Sequence, residues 1–211
     1  MKTKNVLLLA MATFLVACAT PQQVTRSWVS PDFDKNKNYQ NIFLAVLTED
    51  EAARQLVEKE LAARLTNINV KAIKSSEVLP ANFEYGKVDK ERIAQAVASS
   101  NADGIFTIAL LDVKTEERYI APQYFDSGFG GMSFYSDFGA YYSYRTPVIY
   151  SPGYYSTSKT YILESNLYDA ETKDLLWTVQ SKAFNPTNFT KFIEGYSKVM
   201  SEQLKSDGLL K

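Results

Sequence analysis

Cys18 is the only cysteine in the 211-residue chain, and histidine is absent. Those two facts decide most of the chemistry open to it. Without histidine there is no Ser-His-Asp or Cys-His relay, no imidazole ligand for zinc or copper and no side chain that switches charge near neutrality by default. A lone cysteine cannot staple the chain to itself. What remains is carboxylate, lysine and tyrosine chemistry. The densest charged run is Glu116-Glu117-Arg118, which reads as a solvated strand end. Asp112 closes an apolar stretch, the place where α/β sheets bind ligands, but a lone Asp there is more often a turn residue. No carboxylate cluster has calcium-loop spacing. Gly128-Phe129-Gly130-Gly131 lacks the Lys-Ser/Thr and the helix that follow in a phosphate loop. The reading is non-enzymatic: no catalytic residue, no metal, no cofactor and no evident small-molecule substrate.

The surroundings of Cys18 give it another role. Lys2 and Lys4 form a short positive start, residues 6–14 are apolar and uncharged, and Leu15-Val16-Ala17-Cys18 follows. The apolar run is shorter than the roughly 20 residues that span a bilayer as a helix. Its length and flanks are those of a secretion signal. The last four residues resemble the lipobox of bacterial lipoproteins. That resemblance implies a signal peptide over 1–17 and a diacylglycerol on the Cys18 sulfur. It also implies an N-acyl chain on the new amino terminus and a lipidated tether over 18–23. Two or three acyl chains anchor far more firmly than one, at about 0.8 kcal/mol per buried CH₂. Ala19, rather than Asp, follows the cysteine. By analogy with Gram-negative lipoproteins this predicts the outer membrane. The lack of an acidic cluster after Cys18 favours the periplasmic side.

Charge excludes one class of partner. Once Lys2 and Lys4 are removed, acidic residues outnumber basic ones by three, so there is no basic excess for nucleic acid.

The elements that must carry these features follow from pattern. NIFLAVL at 41–47 is a continuous apolar run, the signature of a strand buried on both faces. A helix over 49–65 follows, with Thr48 and Glu51 read as a capping box and Ala53, Val57, Leu61 and Leu65 as its apolar stripe. Further strands are expected at 24–29, with Trp28 as a buried anchor, and at 69–73, 105–113, 159–168 and 175–184. Further helices are expected at 89–100, capped by Asp89, and at 188–205, capped by Thr187 or Asn188, with Gly208 as its stop. Trp177 and Phe192 are expected in the core. Strand-helix alternation then a hairpin predicts an α/β fold: one mixed sheet with helices packed on it, over 24–207.

The segment 118–158 stands apart. It holds 13 of the 28 aromatic residues and five of the nine glycines, with no period of 2 or 3.6. It reads as a long insertion. Tyr124, Phe125, Phe129, Phe134, Tyr135, Phe138, Tyr141, Tyr142 and Tyr144 are its candidate partner-contact surface. A mobile loop is the plainer alternative. A membrane hairpin would need strict apolar-polar alternation, which FYSDFGAYYSY at 134–144 does not hold.

Two stretches carry a further resemblance. Asn101-Ala102-Asp103-Gly104 running into Ile105-Phe106-Thr107-Ile108, and Leu167 to Trp177 around Asp169-Ala170-Glu171-Thr172, resemble small envelope lipoproteins. Their α/β domain is similar to the amino-terminal domain of TolB and to the core of the curli-secretion lipoprotein. Lys173-Asp174 stands where that hairpin usually has Gly. The resemblance implies a fold and an envelope location, and it carries over no catalytic residue. The function expected is a membrane-anchored interaction or scaffold module in the periplasm, with an envelope protein partner or self-association. The alternative is an oligomeric pore or secretion lipoprotein that assembles through 118–158.

Overall fold

The computed structural model describes residues 22–34, 36–79, 90–121, 137–142 and 153–210. In chain order these form β1 (Gln22–Val29), β2 (Asn41–Leu47), α1 (Glu51–Thr66), β3 (Lys71–Lys74), α2 (Ser75–Val78) and α3 (Lys90–Ser99). Then come β4 (Gly104–Ile120), β5 (Tyr154–Asp169), β6 (Leu175–Phe184) and α4 (Phe189–Ser206). The strands make one mixed sheet in the order β1-β6-β5-β4-β2-β3. β2 runs parallel to β3 and β4; β6 is antiparallel to β1 and β5. This is the α/β fold expected from the alternation of patterns.

The apolar run of β2 explains the layering. Successive side chains of a strand point to opposite faces. Ile42, Leu44 and Val46 join the larger core with Val57, Leu61 and Leu65 of α1 and Phe192, Tyr196, Met200 and Leu204 of α4. Phe43 and Ala45 face the other way, against Leu79 and against Ala96 and Val97 of α3. A strand covered on both faces has no polar side to show, hence the unbroken run.

Contacts divide the chain into two compact units, residues 1–113 with 160–211, and residues 114–159. The boundary falls within β4 and β5, which are longer than their apolar patterns predict. At one end of the pair, Ala170 N–H donates to Asp103 O at 2.9 Å. At the other, Gly153 lies against Tyr119 and Ile120, so the two strands run antiparallel. A Cβ at Gly153 would stand 2.7 Å from the Ile120 carbonyl oxygen, too close for any side chain. In the 114–159 unit the Tyr119 and Tyr155 rings meet at 5.2 Å. A helical turn over 138–142 is opened by Asp137, whose Oδ1 accepts from Ala140 N–H at 2.9 Å.

Three local expectations are corrected. Trp28 is not buried: it is 45% exposed. The β1–β6 register shifts between Val24 and Arg26, and one extra residue sends every later side chain to the opposite face. Val24 and Val29 therefore both pack on the core, Ser27 reaches Asp207 on the same side, and Trp28 turns outward. The cap of α1 is Asp50 rather than Thr48. Its Oδ1 accepts from Ala53 N–H at 3.0 Å, and Thr48 Oγ1 accepts from Asp50 N–H at 3.2 Å. Glu51 is the first helical residue and bonds Arg54 and Gln55. Asp112 does not end its strand, because β4 continues to Ile120. The expected cap Asp89 lies outside the described residues. Asn188 caps α4, its Oδ1 accepting from Lys191 N–H at 2.9 Å.

The β5–β6 hairpin turns without glycine. Lys173 itself takes φ 69°, a left-handed conformation that costs a residue with a Cβ roughly 1–2 kcal/mol. Asp169 offsets that cost by accepting from Glu171 N–H at 2.8 Å and Thr172 N–H at 3.1 Å.

Candidate functional site

At the carboxyl end of β2, beside the middle of β4, the helices do not close over the sheet. α1 begins just after β2 and α4 just after β6, and between their first turns lies a cavity of about 260 Å³. Val46, Ile108 and Leu163 form its floor, Val57 and Ile193 its walls. Leu47, Leu110 and Phe189 stand at its mouth, each between about two-fifths and just over half exposed. Open α/β sheets place ligands at the carboxyl ends of their strands, and β2 ends here.

The chemistry of the lining is simple. Among the described residues no Asp, Glu, Lys or Arg lines the cavity. Thr48 and Thr187 supply hydroxyls, and the Tyr196 hydroxyl lies within. That hydroxyl is hydrogen-bonded to Ser165 Oγ, itself buried. Burial pushes the Tyr196 ionisation up, and the Ser165 bond opposes this only in part, so the phenol stays neutral. The cavity can hold an apolar body and offers it no acid or base.

A polar cluster occupies the opposite end of the sheet. Asp169 accepts from Lys37 Nζ at 2.5 Å and from Tyr39 OH at 2.9 Å. Asp103 accepts from the backbone N–H groups of Gln40 and Asn41. Burial pushes the Tyr39 hydroxyl up, and its bond to Asp169 adds to this. For Asp169, burial works to raise the carboxyl, but the Lys37 bond, two backbone N–H groups and Tyr39 outweigh it and hold it at about 2. Every acceptor here is engaged with the chain itself. The cluster pins the loop before β2 to the β5–β6 turn, a structural task. Among the described residues no three Asp, Glu, Cys or His side chains converge to hold an ion.

The second candidate surface is the outer part of β4 and β5. The β2–β4 ladder ends at Leu47–Ala109, and the β5–β6 ladder begins at Thr160–Phe184. Beyond those points, among the described residues, β4 and β5 pair only with each other, and each leaves an edge open. Residues 114–119 are exposed in succession, so β4 is bare on both faces there, while Ser156 and Ser158 on one face of β5 are half-buried. Tyr119, Tyr154 and Tyr155 are all more than half exposed.

Of the aromatic residues singled out from sequence, Phe138, Tyr141 and Tyr142 fall on the 138–142 helical turn. Phe138 is 79% exposed, its ring 5.8 Å from that of Tyr142. Cys18, Tyr124, Phe125, Phe129, Phe134, Tyr135 and Tyr144 lie outside the described residues. Glu116, Glu117 and Arg118 are exposed on β4. Sequence reasoning missed the cavity. Its one trace was Leu47, Leu110 and Phe189, large apolar residues near the ends of elements with nothing assigned to cover them.

No protein-family model matches the chain, and no curated protein matches it. Solved structures do. The PelC dodecamer from Paraburkholderia phytofirmans is similar at 13% identity, over 86% of this chain and 96% of that one, with a TM-score of 0.43. Lipoprotein GNA1162 from Neisseria meningitidis is similar at 12% identity, over 79% and 99%, with a TM-score of 0.43. A PDZ domain protein from Parabacteroides distasonis is similar at 11% identity, over 93% of this chain and 38% of that one, with a TM-score of 0.41.

Proposed function

We propose that the protein is a lipid-anchored, non-enzymatic interaction module of the bacterial envelope, and that the β4–β5 ribbon is its contact element. One observation carries the reading: among the described residues the ribbon has two open edges, and its β4 strand is bare on both faces. An isolated two-stranded ribbon is marginal in water, and an open edge invites another strand. Tyr119, Tyr154 and Tyr155 add rigid, amphipathic contact area of the kind that binding surfaces use.

The anchor in this reading is diacylglycerol and an N-acyl chain on Cys18, after loss of residues 1–17. It places the domain on the outer membrane, facing the periplasm, and the TolB-like resemblance of the Leu167–Trp177 hairpin belongs to the same reading. No helix among the described residues is long and apolar enough to cross a membrane. Mass spectrometry of the mature amino terminus is expected to find Cys18 carrying acyl chains. An unmodified residue other than Cys18 at that end would remove the anchor.

A second reading, assembly of identical copies, is favoured by the same edges, since two ribbons can pair edge to edge. Insertion of the stem into a bilayer is not favoured. Lys114, Glu116 and Arg118 share one face, and Thr115, Glu117 and Tyr119 the other, so neither is an apolar band. The test is a photo-crosslinking residue placed at Tyr119 or Tyr155 in cells, with Lys59 on the exposed side of α1 as control. Adducts are expected from the two tyrosine positions and not from Lys59. A homodimer mass points to assembly of copies, and a single mass of another size to a partner. Absence of adducts from the ribbon while Lys59 yields them overturns the reading.

A further inference from the structure

We propose that the apolar cavity between the first turns of α1 and α4 is the seat of one acyl chain of the lipid on Cys18. The inference rests on the lipidation proposed above and adds where one of its chains goes.

Position is the first support. Gln22 pairs with Ala183, Ala183 pairs with Tyr161, and Tyr161 lines the cavity. The three lie in one row across the sheet, so Gln22 is two strand spacings, about 10 Å, from the cavity wall. From that row β1 runs toward its Val29–Trp177 pairing, away from the Pro186–Phe189 side where the cavity opens. Gln22 is thus the cavity-side end of its strand. Cys18 precedes it by four residues, a reach of up to about 14 Å at roughly 3.3–3.6 Å each. That span covers the distance, and the acyl chain itself extends it.

Capacity and chemistry agree with position. A volume of about 260 Å³ has room for roughly nine groups the size of a water molecule, whose share of the liquid is ~30 Å³. That is the terminal half of a long acyl chain and too little for a folded peptide segment. Smaller apolar cavities already take up hydrocarbon guests. The interior offers a chain no unpaired charge, and the Tyr196 hydroxyl is already satisfied by Ser165. Thr48, Tyr161 and Thr187 are the other lining residues whose hydroxyls can meet ester oxygens. With one chain in the cavity, the remaining chains still hold the membrane.

The experiment places a benzophenone amino acid at Phe189 of the full-length lipoprotein in cells, with the same substitution at Phe138 as control. After illumination and digestion, the expected product joins the Cys18 lipopeptide, through an acyl carbon, to the peptide carrying position 189. The Phe138 position is expected to give none. An adduct with a phospholipid not attached to the protein, or with a second protein chain, overturns the inference. So does the absence of an adduct while the digest shows Cys18 lipidated, and in that case the anchor itself stands. An unmodified Cys18 removes both. A second arm avoids the membrane. The mature-length chain with Cys18→Ser is expected to bind dansyl-undecanoic acid one to one. Ala53→Trp, which fills the cavity from α1, should weaken that binding by about tenfold or more, and Thr48→Trp serves if that variant does not fold. A Cys18→Ser chain that folds yet does not bind the probe overturns the inference whatever the state of the native anchor.

Discussion

Replacing Trp177 with Ala is expected to lower stability by about 3–5 kcal/mol. Trp177 is fully buried on β6, stacked on Phe106 with ring centroids 6.1 Å apart. Its indole N–H donates to Asp207 Oδ2 at 2.7 Å. Asp207 also accepts from Ser27 on β1 and from Gln203 on α4. Burial works to raise this carboxyl, but these three bonds hold it below the usual range. One side chain thus fills the core and helps join two strands to the end of a helix. In a domain of this size each kcal/mol moves Tm by about 2–4 °C, so the fall should be roughly 6–20 °C. Trp177→Phe keeps a ring on Phe106 but loses the donor and part of the ring volume, at about 2–3 kcal/mol. Trp28→Ala, on the exposed side of β1, should stay within about 0.5 kcal/mol. Thermal melts followed by circular dichroism check all three. An unchanged Tm for Trp177→Ala would contradict the packing described.

Asp169→Ala should cost roughly 2–4 kcal/mol, because it takes the acceptor from the buried Tyr39 hydroxyl and from two backbone N–H groups, while Lys37, its side chain 39% exposed, is left to water. Lys37 Nζ, Tyr39 OH and two backbone N–H groups all lose their acceptor. Asp169 also predicts a pH dependence. Its carboxyl stands at about 2 against an ordinary 3.8, and its side chain is only 6% exposed. A carboxyl lowered in the folded state binds protons more readily when unfolded. Its contribution, about 2 kcal/mol, is complete above pH 4 and is lost as pH falls from about 4 toward 2. Urea unfolding of the native chain and Asp169→Asn should show a stability gap at pH 7 that narrows through that window. A gap that is the same at pH 7 and pH 2 would mean that charge plays no part.

How far the sequence could be read depended on whether a feature is periodic. β2 and α4 were legible because burial imposes a pattern: an unbroken run for a strand covered twice, and a three-four spacing from Phe192 to Leu204 for a helix packed once. The Asp169 turn was legible as a turn, since Asp and Thr bond their own backbone. Its partner Tyr39, 130 residues away, was not, because nothing local marks such a pair. Trp28 failed for a countable reason: one bulged residue inverts the alternation, and a bulge leaves no sign in composition. The outer part of β4 failed because a strand bare on both faces has no buried side to alternate with. The buried Glu58 of α1 was missed too. It accepts from Ser75 Oγ and Ser76 N–H, which a stripe of apolar residues cannot foretell. The cavity is a gap between elements and belongs to no segment.

The pairing of β1 with β6 also sets a timetable. Gln22 and its hydrogen-bond partner Ser181 are 159 residues apart in sequence. Until that distance is closed the first strand has no edge to join, while β2, β3 and β4 lie nearer one another in sequence and can already pair among themselves. Closing so long a loop is slow, and β1 is the strand made first and added last. Substitutions along it, such as Val24→Ala or Val29→Ala, should therefore leave the rate of folding nearly unchanged and show themselves as faster unfolding.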